Sequence, residues 1–277
     1  MIPRFNVPTI PEFEGIAGKV QVAFHGINKS GSLAMTKVIR DAYEIAGRPQ
    51  EFFPHYFRDI ALDDYLVEVG ALRGPAFLAG HYLYGKLPPS PGRVLVTLFR
   101  HPLPRILSSY NWIMRKHVRQ SSDPVPTLDE WVNRSKGKAF SQIIQFGCGH
   151  GRHARSLRSL PNQSIFESCI DAIEREVFCF GLAEQFEESI FLFASLCGLP
   201  QVRAWKRDVR NAGRPLSSEI PDASRQLIEE VFRYDFELYD YAVATFRKRI
   251  AGIDFGPDLQ RYKDACAPEY RDRLVSS

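Results

Sequence analysis

Val20-Gln-Val-Ala-Phe24, then His25-Gly-Ile-Asn-Lys-Ser-Gly-Ser32, then apolar residues at Met35, Val38, Ile39, Ala42 and Ile45: this run decides the fold. The first five residues read as a short strand. The series that begins after Leu33 has the spacing of one helix face, and Gly47-Arg-Pro49 stops it. The segment between them carries Gly26 and Gly31, so the sequence predicts a strand, a tight turn and a helix in direct succession. Working outward, Ala76–Ala79 and Val177–Phe180 predict further strands. Arg93-Val-Leu-Val-Thr-Leu-Phe99 predicts another, and its nearly unbroken apolar run suits a strand buried on both faces of a parallel sheet.

Helices alternate with these strands. Pro102 and Pro104 fall in a first helical turn, where a missing N–H does no harm, and Ile106, Tyr110, Ile113 and Met114 give that helix an apolar stripe. Thr127 and Glu130 form a capping-box pattern for a short helix. A helix over about 185–197 ends at Gly198-Leu-Pro200. Two more span about 223–234 and 235–250, the last turning Leu238, Tyr241, Ala242 and Phe246 inward. This alternation predicts an α/β fold, P-loop-like, with a central parallel sheet between two helical layers. A single domain over 1–277 is expected, with an N-terminal arm over 1–18 and a polar tail over 253–277.

Composition narrows the function classes. The 277 residues are 44% hydrophobic and 25% charged, as in a globular chain, and the formal charge of +4 is too small for a general duplex-DNA binder. An anionic small molecule explains it with less; no nucleic-acid partner is expected. Five cysteines, odd in number and without a C-x-x-C pair, suit reduced thiols and a cytoplasmic setting. The apolar run from Ile190 to Leu199 is about half of the ~20 residues a membrane-spanning helix needs. The N-terminal residues show no apolar core of a secretory signal.

The turn at 25–32 lies where open α/β sheets bind ligands, past the carboxyl end of a strand. Gly26 and Gly31 let the backbone curl. Ser30, Gly31 and Ser32 offer N–H and hydroxyl donors at a helix N-terminus, and Lys29 adds a full charge, which makes a cradle for an oxyanion. The same residues also read as a plain strand-to-helix turn with a solvated lysine, and the turn alone does not separate the two. It is not a Walker A loop, because Lys29 precedes Gly31 by two instead of following it. A second anion site is expected at Arg100, where a buried strand ends, and at Ser108, whose hydroxyl leans back toward the helix start.

These two segments resemble the sulfotransferases that use 3′-phosphoadenosine-5′-phosphosulfate (PAPS), most closely the glycan-modifying branch that includes heparan sulfate 2-O-sulfotransferase. Asn28-Lys-Ser-Gly-Ser32 is similar to the family's P-K-[ST]-G-[ST] loop for the 5′-phosphosulfate. Arg100-His-Pro-x-x-Arg-x-x-Ser108 is similar to its R-x-P-x-x-R-x-x-S motif for the 3′-phosphate. Phe180–Ser189 and Asp235–Tyr241 look like later family landmarks. Asn28 stands where the family has proline and His101 where it has aspartate, and neither change removes a cation. The resemblance implies sulfonyl transfer to a hydroxyl or amine of a carbohydrate or glycoconjugate, without a metal. It implies PAPS contacts from Asn28, Lys29, Ser30, Gly31, Ser32, Leu33, Arg100 and Ser108, with Arg210 and Arg214 from a basic stretch closing over the nucleotide.

His81 is the expected base. It follows a strand end on the same edge as Lys29 and Arg100, and the Gly80-His81 pair before aromatic residues is similar to the family's catalytic-histidine segment. His25 and His101 are the alternatives. Trp205 has two readings, stacking on adenine or packing in the core. Cys148, His150 and His153 invite a zinc reading, which the neighbouring Arg152, Arg155 and Arg158 oppose. Two other functions compete: a small-molecule kinase on a related fold, and a nucleotide or anionic-glycan binder without turnover.

Overall fold

The computed structural model describes residues 2–57, 60–81, 87, 90–120, 123–135, 141–147, 162–205 and 219–266. The predicted unit is there: β2 (Gln21–His25), the turn, and α1 (Ser32–Ile45). A short β1 (Arg4–Asn6) precedes them, and β3 (Phe52–Pro54), α2 (Leu62–Ala71), β4 (Ala76–Gly80) and β5 (Arg93–Phe99) follow. The chain continues through α3 (Pro102–Gln120), α4 (Leu128–Ser135), α5 (Gln142–Gly147), α6 (Asn162–Arg175) and β6 (Val177–Leu182). It then forms α7 (Phe186–Leu196), β7 (Gln201–Arg203), α8 (Asp222–Val231), α9 (Arg233–Ile250) and α10 (Gly256–Cys266).

Five parallel strands make the central sheet in the order β3-β4-β2-β5-β6. Every residue of β2 and of β4 is buried. Successive side chains of a strand point to opposite faces, so helices must cover both. The rings say which: Phe24 meets Phe193 of α7 at 5.8 Å, while its neighbour His25 meets Phe146 of α5 at 6.1 Å. The fold is thus the expected α/β one, a parallel sheet flanked by helices. The capping box is also present, with Thr127 N–H donating to Glu130 and Glu130 N–H to Thr127 Oγ1.

Some elements escape the sequence reading. β3 is a three-residue edge strand, too short to carry a pattern. α2 buries only Tyr65 and Val69, a single i,i+4 pair. The arm and the tail meet: β1 pairs antiparallel with β7, Asn6 N–H donates to Asp258 Oδ2 of α10 at 2.6 Å, and Phe5 packs edge-on against Tyr262. Leu259 and Tyr262 anchor α10, so a stretch read as a polar tail contains a packed helix. Among the described residues, no helix is long and apolar enough to cross a membrane.

Candidate active site

His25 ends β2 with its Cα paired to Gly80 of β4 and Thr97 of β5. Gly26, His81 and, three residues beyond Thr97, Arg100 therefore leave the sheet at one edge. The connections after β2 lead toward β3 and β4 on one side, and those after β5 lead toward β6 on the other. Such a reversal opens a crevice beyond the strand ends, between β2 and β5.

The turn passes through two left-handed positions, Lys29 at φ 66° and Gly31 at φ 94°. Gly31 takes that conformation freely, whereas Lys29 carries strain of about 1 kcal/mol. Hydrogen bonds hold it from both sides. Gln145 Oε1 accepts the Asn28 N–H at 2.7 Å, and the Lys29 carbonyl accepts Arg100 Nη1 at 2.9 Å. The Ser30 and Ser32 hydroxyls both lie 2.8 Å from the Ile27 carbonyl, and both serines are buried. These hydroxyls, expected as ligand donors, close the turn instead. The donors that remain are amides: the first helical bond of α1 runs from Met35 N–H to the Gly31 carbonyl, so Ser32, Leu33 and Ala34 have no acceptor within the helix. Gly31 brings no capping side chain, which leaves a helix N-terminus of the kind that holds oxyanions.

Gly26 is required by space. A Cβ there would fall 1.5 Å from the Tyr56 hydroxyl. Gly26→Ala is expected to cost about 1–3 kcal/mol by overpacking, read as a lower midpoint of thermal unfolding. Adding Tyr56→Ala to the same chain should weaken that penalty, and a midpoint unchanged in the single variant would refute the contact.

The electrostatics of the edge are cationic. Lys29 Nζ lies 4.8 Å from the ring centroid of Trp112, which is 52% exposed on α3. Burial, and then the charges of Arg100 and Arg115, hold the Lys29 ammonium below its ordinary pKa. An oxyanion bound among these groups would relieve that repulsion. Arg100 is buried, its backbone N–H and carbonyl both held by the Gln142 amide at 3.1 and 3.2 Å. Ser108 lies one turn before Trp112, so it shares the face of α3 that meets Lys29, and it is 8% exposed.

Of the three histidines, His81 keeps its lone pair on Nε2, whereas His25 and His101 keep theirs on Nδ1. His81 Nδ1 is 2.6 Å from the Gly26 carbonyl. A carbonyl only accepts, so Nδ1 carries the proton and Nε2 the lone pair of the neutral ring. Burial pushes the His81 pKa below its ordinary 6.5, with His55 and Lys29 adding to the shift and the Gly26 hydrogen bond opposing it. His25 is fully enclosed; its Nε2 donates to the Gln145 carbonyl at 3.2 Å, and burial drops its pKa to about 4. His101 Nδ1 accepts the Leu103 N–H at 3.3 Å, which commits its lone pair to the start of α3.

Four side chains hold this edge: Gln142 and Gln145, which sequence reasoning missed, and Glu184 and Asp235, which lie in the two later landmark segments but were given no role there. Glu184 Oε1 accepts the His101 N–H and its Oε2 accepts the Tyr239 hydroxyl, placing negative charge at the N-terminus of α3. Two glutamines three apart in the otherwise apolar Ser141-Gln-Ile-Ile-Gln-Phe-Gly147 were a usable signal, since buried amides need partners. Trp205 packs on Phe186, ring centroids 6.0 Å apart, which fits its core reading. Arg210, Arg214, Cys148, His150 and His153 lie outside the described residues. Among the described residues, no three His, Cys, Asp or Glu side chains gather as a metal site.

No protein-family model matches the chain. Two curated proteins are similar to it. Heparan-sulfate 6-O-sulfotransferase 2 of Gallus gallus is 25% identical over 197 residues, which is 59% of this chain and 47% of that protein. Heparan-sulfate 6-O-sulfotransferase 3 of Mus musculus is 25% identical over 183 residues, 56% of this chain and 38% of that protein. The chain thus spans about half the length, or less, of the relatives it matches. Both are 6-O enzymes, whereas the motifs had suggested the company of a 2-O enzyme. The similarity supports a sulfotransferase relationship for this chain.

Proposed function

We propose that the chain is a PAPS-dependent sulfotransferase acting on a hydroxyl or amine of a carbohydrate or glycoconjugate. The observation that carries the reading is the 2.9 Å bond from Arg100 Nη1 to the Lys29 carbonyl, which joins the two motifs across 71 residues at one sheet edge. A donor with phosphate at both 3′ and 5′ positions matches two cationic stations held that way. Arg100, with Ser108 near it, takes the 3′-phosphate. Lys29 and the first amides of α1, among them those of Ser32 and Leu33, take the phosphosulfate. In the reaction the acceptor oxygen attacks sulfur in line, its proton passes to His81 Nε2, and the S–O bond to the 5′-phosphate breaks. Lys29 and the helix N-terminus stabilise the charge left on that phosphate, so positioning and electrostatics do most of the work, as in phosphoryl transfer.

The defining test is sulfonate transfer from sulfur-labelled donor to a panel of glycans and small alcohols, with the product identified by mass spectrometry. A binding test separates the rival readings. Adenosine 3′,5′-bisphosphate at about 100 times its Kd should stabilise the fold by about 2.7 kcal/mol, and ATP with magnesium should not. Arg100→Ala should lose most of that stabilisation. A shift produced by ATP with magnesium alone would favour a kinase, and bisphosphate binding with no transfer to any acceptor would favour a binder without turnover.

A further inference from the structure

The two anion-binding motifs belong to different strands, and the structure contains a separate element that ties them together. α5 is only six residues long, yet all six are buried. Gln142 and Gln145 lie on one face of it, three residues apart. The Gln142 side chain clamps Arg100 at both its backbone N–H and its carbonyl. The Gln145 side chain accepts the Asn28 N–H at 2.7 Å, one residue before the strained Lys29, and the Gln145 carbonyl accepts from His25 at the end of β2.

α5 is itself bolted in place from below. Asp235, in the first turn of α9, accepts the Ser141 hydroxyl and the Ile143 N–H on Oδ1, and the Gln142 N–H and Arg105 Nη2 on Oδ2, at 2.7 to 3.1 Å. The Arg105–Asp235 pair is almost wholly shielded from water. Four donors on one carboxylate, beside a buried charge pair, add direction to the apolar packing of Ile143, Ile144 and Phe146 and fix where this short helix sits. Arg105 sits inside the R-x-P-x-x-R-x-x-S segment but points to this pair, so the second arginine of that segment anchors where the first one binds.

We infer that Gln142 and Gln145 are positioning residues of the donor site: α5, anchored by Arg105 and Asp235, sets the distance between the turn at 26–32 and Arg100, and so the spacing of the two phosphate stations. The inference rests on the sulfotransferase reading for the identity of the ligand. The latch itself is a property of the free protein.

Asp235→Ala would strand a buried guanidinium and is expected to unfold the chain, so the test uses the glutamines. Amide hydrogen exchange is measured on the ligand-free protein, and adenosine 3′,5′-bisphosphate affinity by calorimetry. Gln145→Ala should speed exchange across 27–32 while β2 and β5 stay protected, and should weaken the bisphosphate about 3- to 10-fold, the effect of losing one hydrogen bond. Gln145→Glu keeps the acceptor oxygen and should restore protection of the turn. Gln142→Ala should weaken the bisphosphate to a similar degree. Unchanged exchange at 27–32, loss of protection spread evenly through the sheet, or unchanged affinity with a loosened turn would each overturn the inference. Wild-type protein that ignores the bisphosphate would sink the sulfotransferase reading instead, and the exchange measurements would still decide whether the latch exists.

Discussion

Lys29→Ala is expected to lower kcat/KM for sulfonyl transfer by about 10²- to 10³-fold, the scale of removing one preorganised group that stabilises developing charge. The side chain sits at the N-terminus of α1, its carbonyl is pinned by Arg100, and its ammonium rests near the Trp112 ring. Alanine keeps the left-handed strain and discards the charge, so the fold should change little. Steady-state kinetics beside thermal unfolding checks this. A large fall in rate with an unchanged unfolding midpoint is the expected outcome, and wild-type turnover would overturn the role. Lys29→Arg should recover little, since a planar fork does not replace a point charge in so tight a turn.

His81→Ala is expected to cost about 10²- to 10⁴-fold in kcat with bisphosphate affinity nearly intact, as for loss of a general base. The pH profile supplies the sign. His81 must be neutral to accept a proton, and burial holds its pKa below 6.5, so the rate should fall only as pH drops through that lowered value. Lys29 must be charged, and its pKa is held below the ordinary 10.5, so the rate should fall again as pH rises through that lowered value. The result is a bell-shaped profile with a plateau across neutral pH, and the His81→Ala enzyme should lose the acid limb. An acid limb that survives the substitution would move the base elsewhere. His101 is poorly placed for that, because its Nδ1 is held by the Leu103 N–H. His25 is too, enclosed beneath α5.

The central elements were legible because periodicity and buried strands leave a strong trace. β5 coincides with the predicted span, and β2, β4 and β6 differ from theirs by one or two residues at the ends. One helix with a clear trace was not read: α6 buries Ile165, Cys169, Ala172 and Ile173 at helical spacing. The other missed elements lacked such a trace. β3 is three residues long, α5 is six, and α10 carries only Leu259 and Tyr262 among polar neighbours. Short elements owe their existence to contacts distant in sequence, such as Asp235 holding the start of α5 from 92 to 94 residues away.

The candidate site divides the same way. The two candidate anion-binding segments were legible in the sequence, with Lys29 and Arg100 as their cations and His81 as a histidine at a neighbouring strand end. Residue type, spacing and the ends of strands are local properties that survive in one dimension. Folding in three dimensions settles that the Arg100 side chain grips the Lys29 carbonyl, that the serine hydroxyls face inward, and that His81 carries its proton on Nδ1. It alone reveals that Gln142 and Gln145 tie Arg100 and the turn to α5, which the Arg105–Asp235 pair holds from below. These are matters of direction and partner. A buried polar group must find its hydrogen bond wherever the packed chain brings one within reach, and a linear sequence does not contain that distance.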